Sequence, residues 1–137
     1  MQTSARNELR GKIVAVVNGA VMTEVKIEVA PAIILGATVT KDGMESLGLK
    51  VGDSVTALVK ASSVILSKKE LKSSARNNLK CSVTQVIKGA VNSEVKLTLG
   101  ENKLCAVVTN DAIEDLKIEA SQEAYAIFKA SSVILVA

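Results

Sequence analysis

The sequence contains no histidine and no tryptophan. Without histidine the chain lacks the commonest general base, the commonest metal ligand and any Ser-His-Asp triad. The two cysteines, Cys81 and Cys105, cannot complete a usual structural zinc site on their own, and they are expected to be reduced, buried thiols. Aromatic residues are limited to Tyr125 and Phe128, both in the second half, so the first half offers no platform on which nucleic-acid bases could stack. Neither a P-loop nor a dinucleotide fingerprint is present. The 17 basic and 14 acidic residues leave a net charge of +3, far from the polybasic character of a typical nucleic-acid binder. No apolar run reaches the length of a membrane span and no apolar leader precedes the first motif, which implies a cytoplasmic protein without a membrane partner. These absences argue against an enzyme. They leave single-stranded nucleic-acid binding by a small β-barrel as the alternative to small-ligand binding.

What the chain does have is aliphatic residues and repetition. Apolar residues make up 48% of it. With so few aromatics the core must be built from Val, Ile, Leu and Ala, and branched side chains favour strands. Ser4-Ala5-Arg6-Asn7 returns as Ser74-Ala75-Arg76-Asn77, Gly19-Ala20-Val21 as Gly89-Ala90-Val91, and Glu24-Val25-Lys26 as Glu94-Val95-Lys96. After the loss of one residue, Thr40 matches Thr109, and the segment from Lys60 to Leu66 matches that from Lys129 to Leu135. The chain is therefore a tandem of one small unit, residues 1–67 and 73–137, joined by a charged linker at 68–72. Units of this size are marginal on surface-to-volume grounds, so they are expected to pack on each other or on further subunits.

Each copy reads as five short strands with a small helix. Val21 to Val29 alternates with period two: Val21, Thr23, Val25, Ile27 and Val29 are expected on the core face. Lys12 to Val17 forms the preceding strand, with Asn18-Gly19 as the turn. Ile33 to Thr40 is the third strand, and Pro31 sits in the turn before it. Asp42 to Gly48 reads as a short helix, with Asp42 as N-cap and Gly48 as the stop. Ser54 to Lys60 and Val64 to Leu66 complete the set. This pattern predicts an all-β protein of two tandem OB-like five-stranded Greek-key barrels, each with a short helix; an SH3-like barrel is the nearest competitor.

Two polar motifs recur intact while other polar positions diverge, for example Lys50 against Glu119 and Asp53 against Gln122. They are Ser-Ala-Arg-Asn at the start of each copy and Lys-Ala-Ser-Ser near its end. Each joins a cation to hydroxyl groups and to small residues that let an anion approach backbone N–H groups. Together they suit a small, tetrahedral, doubly charged oxyanion. Taken one at a time, each motif could equally be an ordinary turn.

Over essentially its full length the chain resembles the tandem Mop-domain (di-Mop, molbindin) family of molybdate-binding proteins. The resemblance is carried by Ser4-Ala5-Arg6-Asn7-Glu8-Leu9-Arg10-Gly11-Lys12, the alternating valines and Lys60-Ala61-Ser62; the second copy departs from it at Cys81-Ser82. It implies an OB-like fold, a homotrimer, and binding of molybdate, with tungstate possible, at sites between subunits without catalysis. Under the family pattern the oxyanion ligands would be Ser4, Arg6, Thr40, Lys60, Ala61 and Ser62 in the first copy. In the second they would be Ser74, Arg76, Thr109, Lys129, Ala130 and Ser131. A second type of site would use backbone around Gly19, Ala20 and Val21 and around Gly89, Ala90 and Val91, although a turn of this composition needs no ligand to explain it. Family members also append this domain to DNA-binding regulators and transporter ATPases. Neither module is recognisable here, so the expected role is storage and buffering of the anion in the cytoplasm.

Overall fold

The computed structural model describes residues 3–137, so Met1 and Gln2 of the expected first unit lie outside the described residues. The first repeat supplies β1 (Asn7–Asn18), β2 (Met22–Ala30), β3 (Ile33–Thr40), α1 (Lys41–Leu47), β4 (Ser54–Val59) and β5 (Ile65–Ser67). The second supplies β6 (Asn77–Lys88), β7 (Asn92–Leu99), β8 (Asn102–Thr109), α2 (Asn110–Leu116), β9 (Glu123–Phe128) and β10 (Ile134–Val136). The protein is thus mainly β, as its aliphatic alternation predicts.

The strands form two antiparallel five-stranded sheets, in the orders β10-β4-β1-β2-β3 and β5-β9-β6-β7-β8. The last strand of each repeat is exchanged. Ile134, Leu135 and Val136 pair with Leu58, Ala57 and Thr56 of the first repeat, while Ile65, Leu66 and Ser67 pair with Ile127, Ala126 and Tyr125 of the second. The sequence shows that a fifth strand exists but not which sheet receives it. The two copies present nearly identical edges, and exchange of an identical element keeps every pairing.

Each sheet curls into a half-barrel because its first strand is long and serves two partners. Asn7 to Lys12 pairs with β4, whereas Lys12 to Asn18 pairs with β2 across a register shift between Ile13 and Ala15. Such an irregularity bends the strand and increases its twist. The sequence reading begins this strand at Lys12; it actually starts at Asn7, because the segment before Lys12 is the half that pairs with β4.

Alternation along β2 holds for Thr23, Val25, Ile27 and Val29, all buried, but not for Val21, which is 72% exposed. Its counterpart Val91 is 73% exposed. Both precede the first residue of their strand, so they lie past the end of the core. The helix also begins earlier than expected. Its N-cap is Thr40, not Asp42: the Thr40 hydroxyl accepts from the Gly43 N–H at 3.0 Å. Thr109 caps α2 in the same way through Ala112. Gly48 ends α1 in the left-handed conformation, as expected.

Buried residues of both repeats form one continuous core cluster, running from Leu9, Ile27 and Leu35 to Leu79, Leu97 and Phe128. The pooling meets the size problem of a lone unit. Both cysteines lie buried in strands as free thiols.

Candidate functional site

The Ser-Ala-Arg-Asn motif leads into β1, and its four residues have different fates. Asn7 is fully buried. Its amide nitrogen donates to the Cys105 carbonyl (2.9 Å), and its amide oxygen accepts from the Cys105 N–H (2.6 Å). Asn77 does the same to Gly36, at 2.8 and 2.7 Å. Both targets lie on edge strands, β8 and β3, of the opposite repeat's sheet. An asparagine side chain carries one donor side and one acceptor side, so it can satisfy both backbone groups of an edge residue. The two asparagines therefore staple the repeats together.

The neighbouring arginines are also reciprocal. Arg6 forms an ion pair with Glu94 of β7, and Arg76 forms one with Glu24 of β2. Each guanidinium remains about half or more exposed, with side-chain exposures of 48% and 62%.

The Lys-Ala-Ser-Ser motif follows β4 and β9. After Lys60 and Lys129 in extended conformation, Ala61–Ser63 and Ala130–Ser132 each make one tight helical turn. The Ser63 N–H returns to the Lys60 carbonyl (2.9 Å) and the Ser132 N–H to that of Lys129 (3.0 Å). These turns pack across the repeat boundary, the first on β8 and the second on β3.

The first-copy motifs meet in an open cleft of about 480 Å³. Ser4, Arg6, Lys60, Ala61 and Ser62 line it together with Val107 of β8 and Ile134 of the exchanged β10. Two cationic residues and three hydroxyl-bearing ones, Thr3, Ser4 and Ser62, thus line one cleft where the repeats join. Thr40 does not line this cleft. Instead Ser62 shares an adjoining cleft of about 440 Å³ with Thr109 and Ala112. Within one chain the first Lys-Ala-Ser turn packs on β8, the strand that Thr109 ends, which brings Ser62 and Thr109 to one cleft. The matching turn of Ala130 and Ser131, after Lys129, lies against the strand ending in Thr40, and the Ser74-to-Asn77 motif enters beside Gly36, whose Cβ position would lie 3.6 Å from Cβ of Arg76.

The Gly-Ala-Val segments lie elsewhere. Gly19, Ala20 and Val21, like Gly89, Ala90 and Val91, are exposed hairpin tips. Two of their backbone groups are already engaged: the Gly19 N–H donates to Met22, and the Val21 carbonyl accepts from Lys41, with the same pattern in the second copy.

Four residues with evident roles were not singled out as site residues: Asn7, Asn77, Glu24 and Glu94. The asparagines and glutamates all recur in the repeat alignment, but nothing in a linear pattern pairs residues 88 or 52 positions apart. As for base stacking, Phe128 is fully buried and so offers no face.

A duplicated curled five-stranded sheet with paired Ser-Ala-Arg-Asn and Lys-Ala-Ser motifs defines a tandem Mop-type protein. The TOBE domain family matches residues 3–66 and 73–135, and the chain belongs to that family. Among its relatives, the molybdenum transport protein ModE of Herbaspirillum seropedicae is 41% identical over 98% of this chain and 51% of its own length. The molybdenum-pterin-binding protein MopA of Rhodobacter capsulatus is 38% identical over 98% of this chain and 52% of its own. The chain thus spans about half the length of these curated relatives. A solved structure of the cytoplasmic molybdate-binding protein ModG with molybdate bound matches 98% of both chains, at 39% identity and a TM-score of 0.93. Among the described residues no helix is long and apolar enough to cross a membrane.

Proposed function

We propose that this protein reversibly binds molybdate, or tungstate of nearly the same size, in the cytoplasm, and stores and buffers it without chemical conversion. The observation that carries this reading is the convergence of Ser4, Arg6, Lys60, Ala61 and Ser62 on one cleft at the repeat junction. Arg6 and Lys60 supply charge, Ser4 and Ser62 supply hydroxyl donors, and the turn at Ala61 supplies a backbone N–H. Ser74, Arg76, Lys129, Ala130 and Ser131 supply the second set, and Thr40 and Thr109 join from the opposite repeat. The Gly19–Val21 and Gly89–Val91 tips would form the second type of site, near a symmetry axis. The likeness to ModG supports the choice of anion.

Both units act within a homotrimer, whose subunits close the open clefts. Support comes from large apolar side chains exposed at matched positions of the repeats: Val17 and Ile87, Val21 and Val91, Ile65 and Ile134. Selectivity against sulfate comes from size. A smaller anion leaves buried donors unpaired, at a cost of about 1–3 kcal/mol each.

Titration calorimetry with molybdate, tungstate and sulfate in parallel tests this reading. Molybdate and tungstate are expected to bind and sulfate to bind far more weakly. The Arg6→Ala, Arg76→Ala double variant should lose at least about tenfold in molybdate affinity, since a charge-assisted hydrogen bond contributes roughly 1.5–3 kcal/mol. It should keep its fold, because each surface ion pair it loses contributes only about 0–1 kcal/mol. Unchanged affinity would remove the arginines from the site. Light scattering that gave a monomeric mass at micromolar concentration would rule out sites completed between subunits.

A further inference from the structure

The arginine that faces the cleft is not held there alone. Glu94 of β7 pairs with the Arg6 guanidinium; Arg6 lines both the 480 Å³ cleft and a neighbouring groove, whereas Glu94 lines only the groove. The second copy repeats the ion pair with Glu24 and Arg76. In each case the carboxylate comes from the opposite repeat, and neither pair is enclosed.

Resting on the oxyanion reading above, we propose that Glu94 and Glu24 are charge-balancing residues of the anion sites, which steady the empty protein and set how strongly it favours a dianion over a monoanion. In the empty state the Glu94 carboxylate offsets the repulsion between Arg6 and Lys60, which line one cleft, and Glu24 does the same for Arg76 in the second set of ligands. When an anion enters, the guanidinium has five donors and can serve both ligands. The carboxylate then repels the bound anion through the shared cation. The repulsion scales with the charge of the ligand, so a dianion suffers twice the penalty of a monoanion. The site is thereby kept reversible for the more highly charged ligand. Cys105, beside Glu94, and Gly36, at the matching place near Arg76, contribute no charge that could substitute.

The test uses Glu94→Gln, Glu24→Gln and their Asp counterparts in the full chain, titrated with molybdate and with perrhenate, a tetrahedral monoanion. Wild-type protein that fails to bind molybdate would overturn the functional reading itself. Given binding, the double Gln variant should gain affinity, by about tenfold for molybdate and about threefold for perrhenate, from removal of one unit charge several ångströms from each ligand. The empty variant should melt at a lower temperature than wild type, while saturating molybdate should raise its melting point by a larger increment. The Asp variants should restore wild-type affinity and melting. A weakened affinity, an equal gain for both anions, or no change would each overturn the proposal. A merely structural role moves stability and affinity in the same direction and does not distinguish ligand charge.

Discussion

At the scale of single residues, the molecule separates side chains that face the cleft from side chains that build its frame. Asn7 sits inside a motif that reads as anion-binding, yet both faces of its amide are spent on the Cys105 backbone. Replacing it with alanine leaves a buried N–H and a buried carbonyl without partners, an expected loss of about 2–4 kcal/mol. Asn7→Asp should cost more, since an ionised carboxylate cannot donate to the carbonyl. Urea unfolding of the two variants checks both the size and the order. The thiols make a second residue-scale case. Burial pushes Cys81 up to about 11, and burial together with the neighbouring Glu94 carboxylate does the same for Cys105. An ordinary thiol in the unfolded chain ionises near 9.0, so between there and about 11 the native state holds protons the unfolded state has released. Stability must therefore fall as pH rises through that window and be unaffected by these groups below it. Unfolding measured at pH 8 and pH 10.5 should show a steeper decline for wild type than for the Cys81→Ala, Cys105→Ala variant. Neither thiol should be alkylated in the native protein at pH 8.

At the scale of elements, the strands with clean period two were legible in the sequence, and the third strand, Ile33 to Thr40, has the expected ends. Element boundaries depart from the sequence pattern where a partner outside the element decides the outcome. The sequence points to Asp42 as the N-cap, but β3 delivers Thr40 in extended conformation with its hydroxyl at the helix end. The start of β1 depends on β4, which lies some 45 residues further along the chain. Helix ends, by contrast, depend on local backbone geometry and permit a comparison within the chain. Gly48 ends α1 at φ 63°, while Lys117 occupies the matching left-handed position after α2 at φ 54°. A side chain there costs roughly 1 kcal/mol that glycine avoids. Lys117→Gly should therefore stabilise the protein by about that amount, and Gly48→Lys should destabilise it similarly. Thermal melts of the pair decide this, and opposite signs are the required result.

At the scale of the whole molecule, the duplication is legible in sequence but the way the copies are joined is not. The repeat alignment makes the two edges that could receive a fifth strand look alike. The choice falls to the chain's path: each Lys-Ala-Ser turn packs on the other repeat's last long strand, which carries the chain onto the other repeat's sheet. The same path places Ile134 on the wall of the first-copy cleft, so the site and the exchange share one cause. The consequence is a non-local response to truncation. Deleting residues 134–137 removes β10 from β4 and withdraws Leu135, which is only 6% exposed, from the pooled core. Loss of a buried leucine side chain together with its strand should cost at least about 3 kcal/mol. Hydrogen exchange followed by mass spectrometry should then show lost protection in β4, around Thr56 to Leu58, although the deletion lies more than seventy residues away. Strand β9, the deleted segment's neighbour in sequence, keeps its pairing with β5 and β6 and should retain its protection. Loss of protection in β9 with β4 unaffected would mean that each fifth strand returns to its own repeat, and the cleft wall formed by Ile134 would have to be reassigned to the second copy.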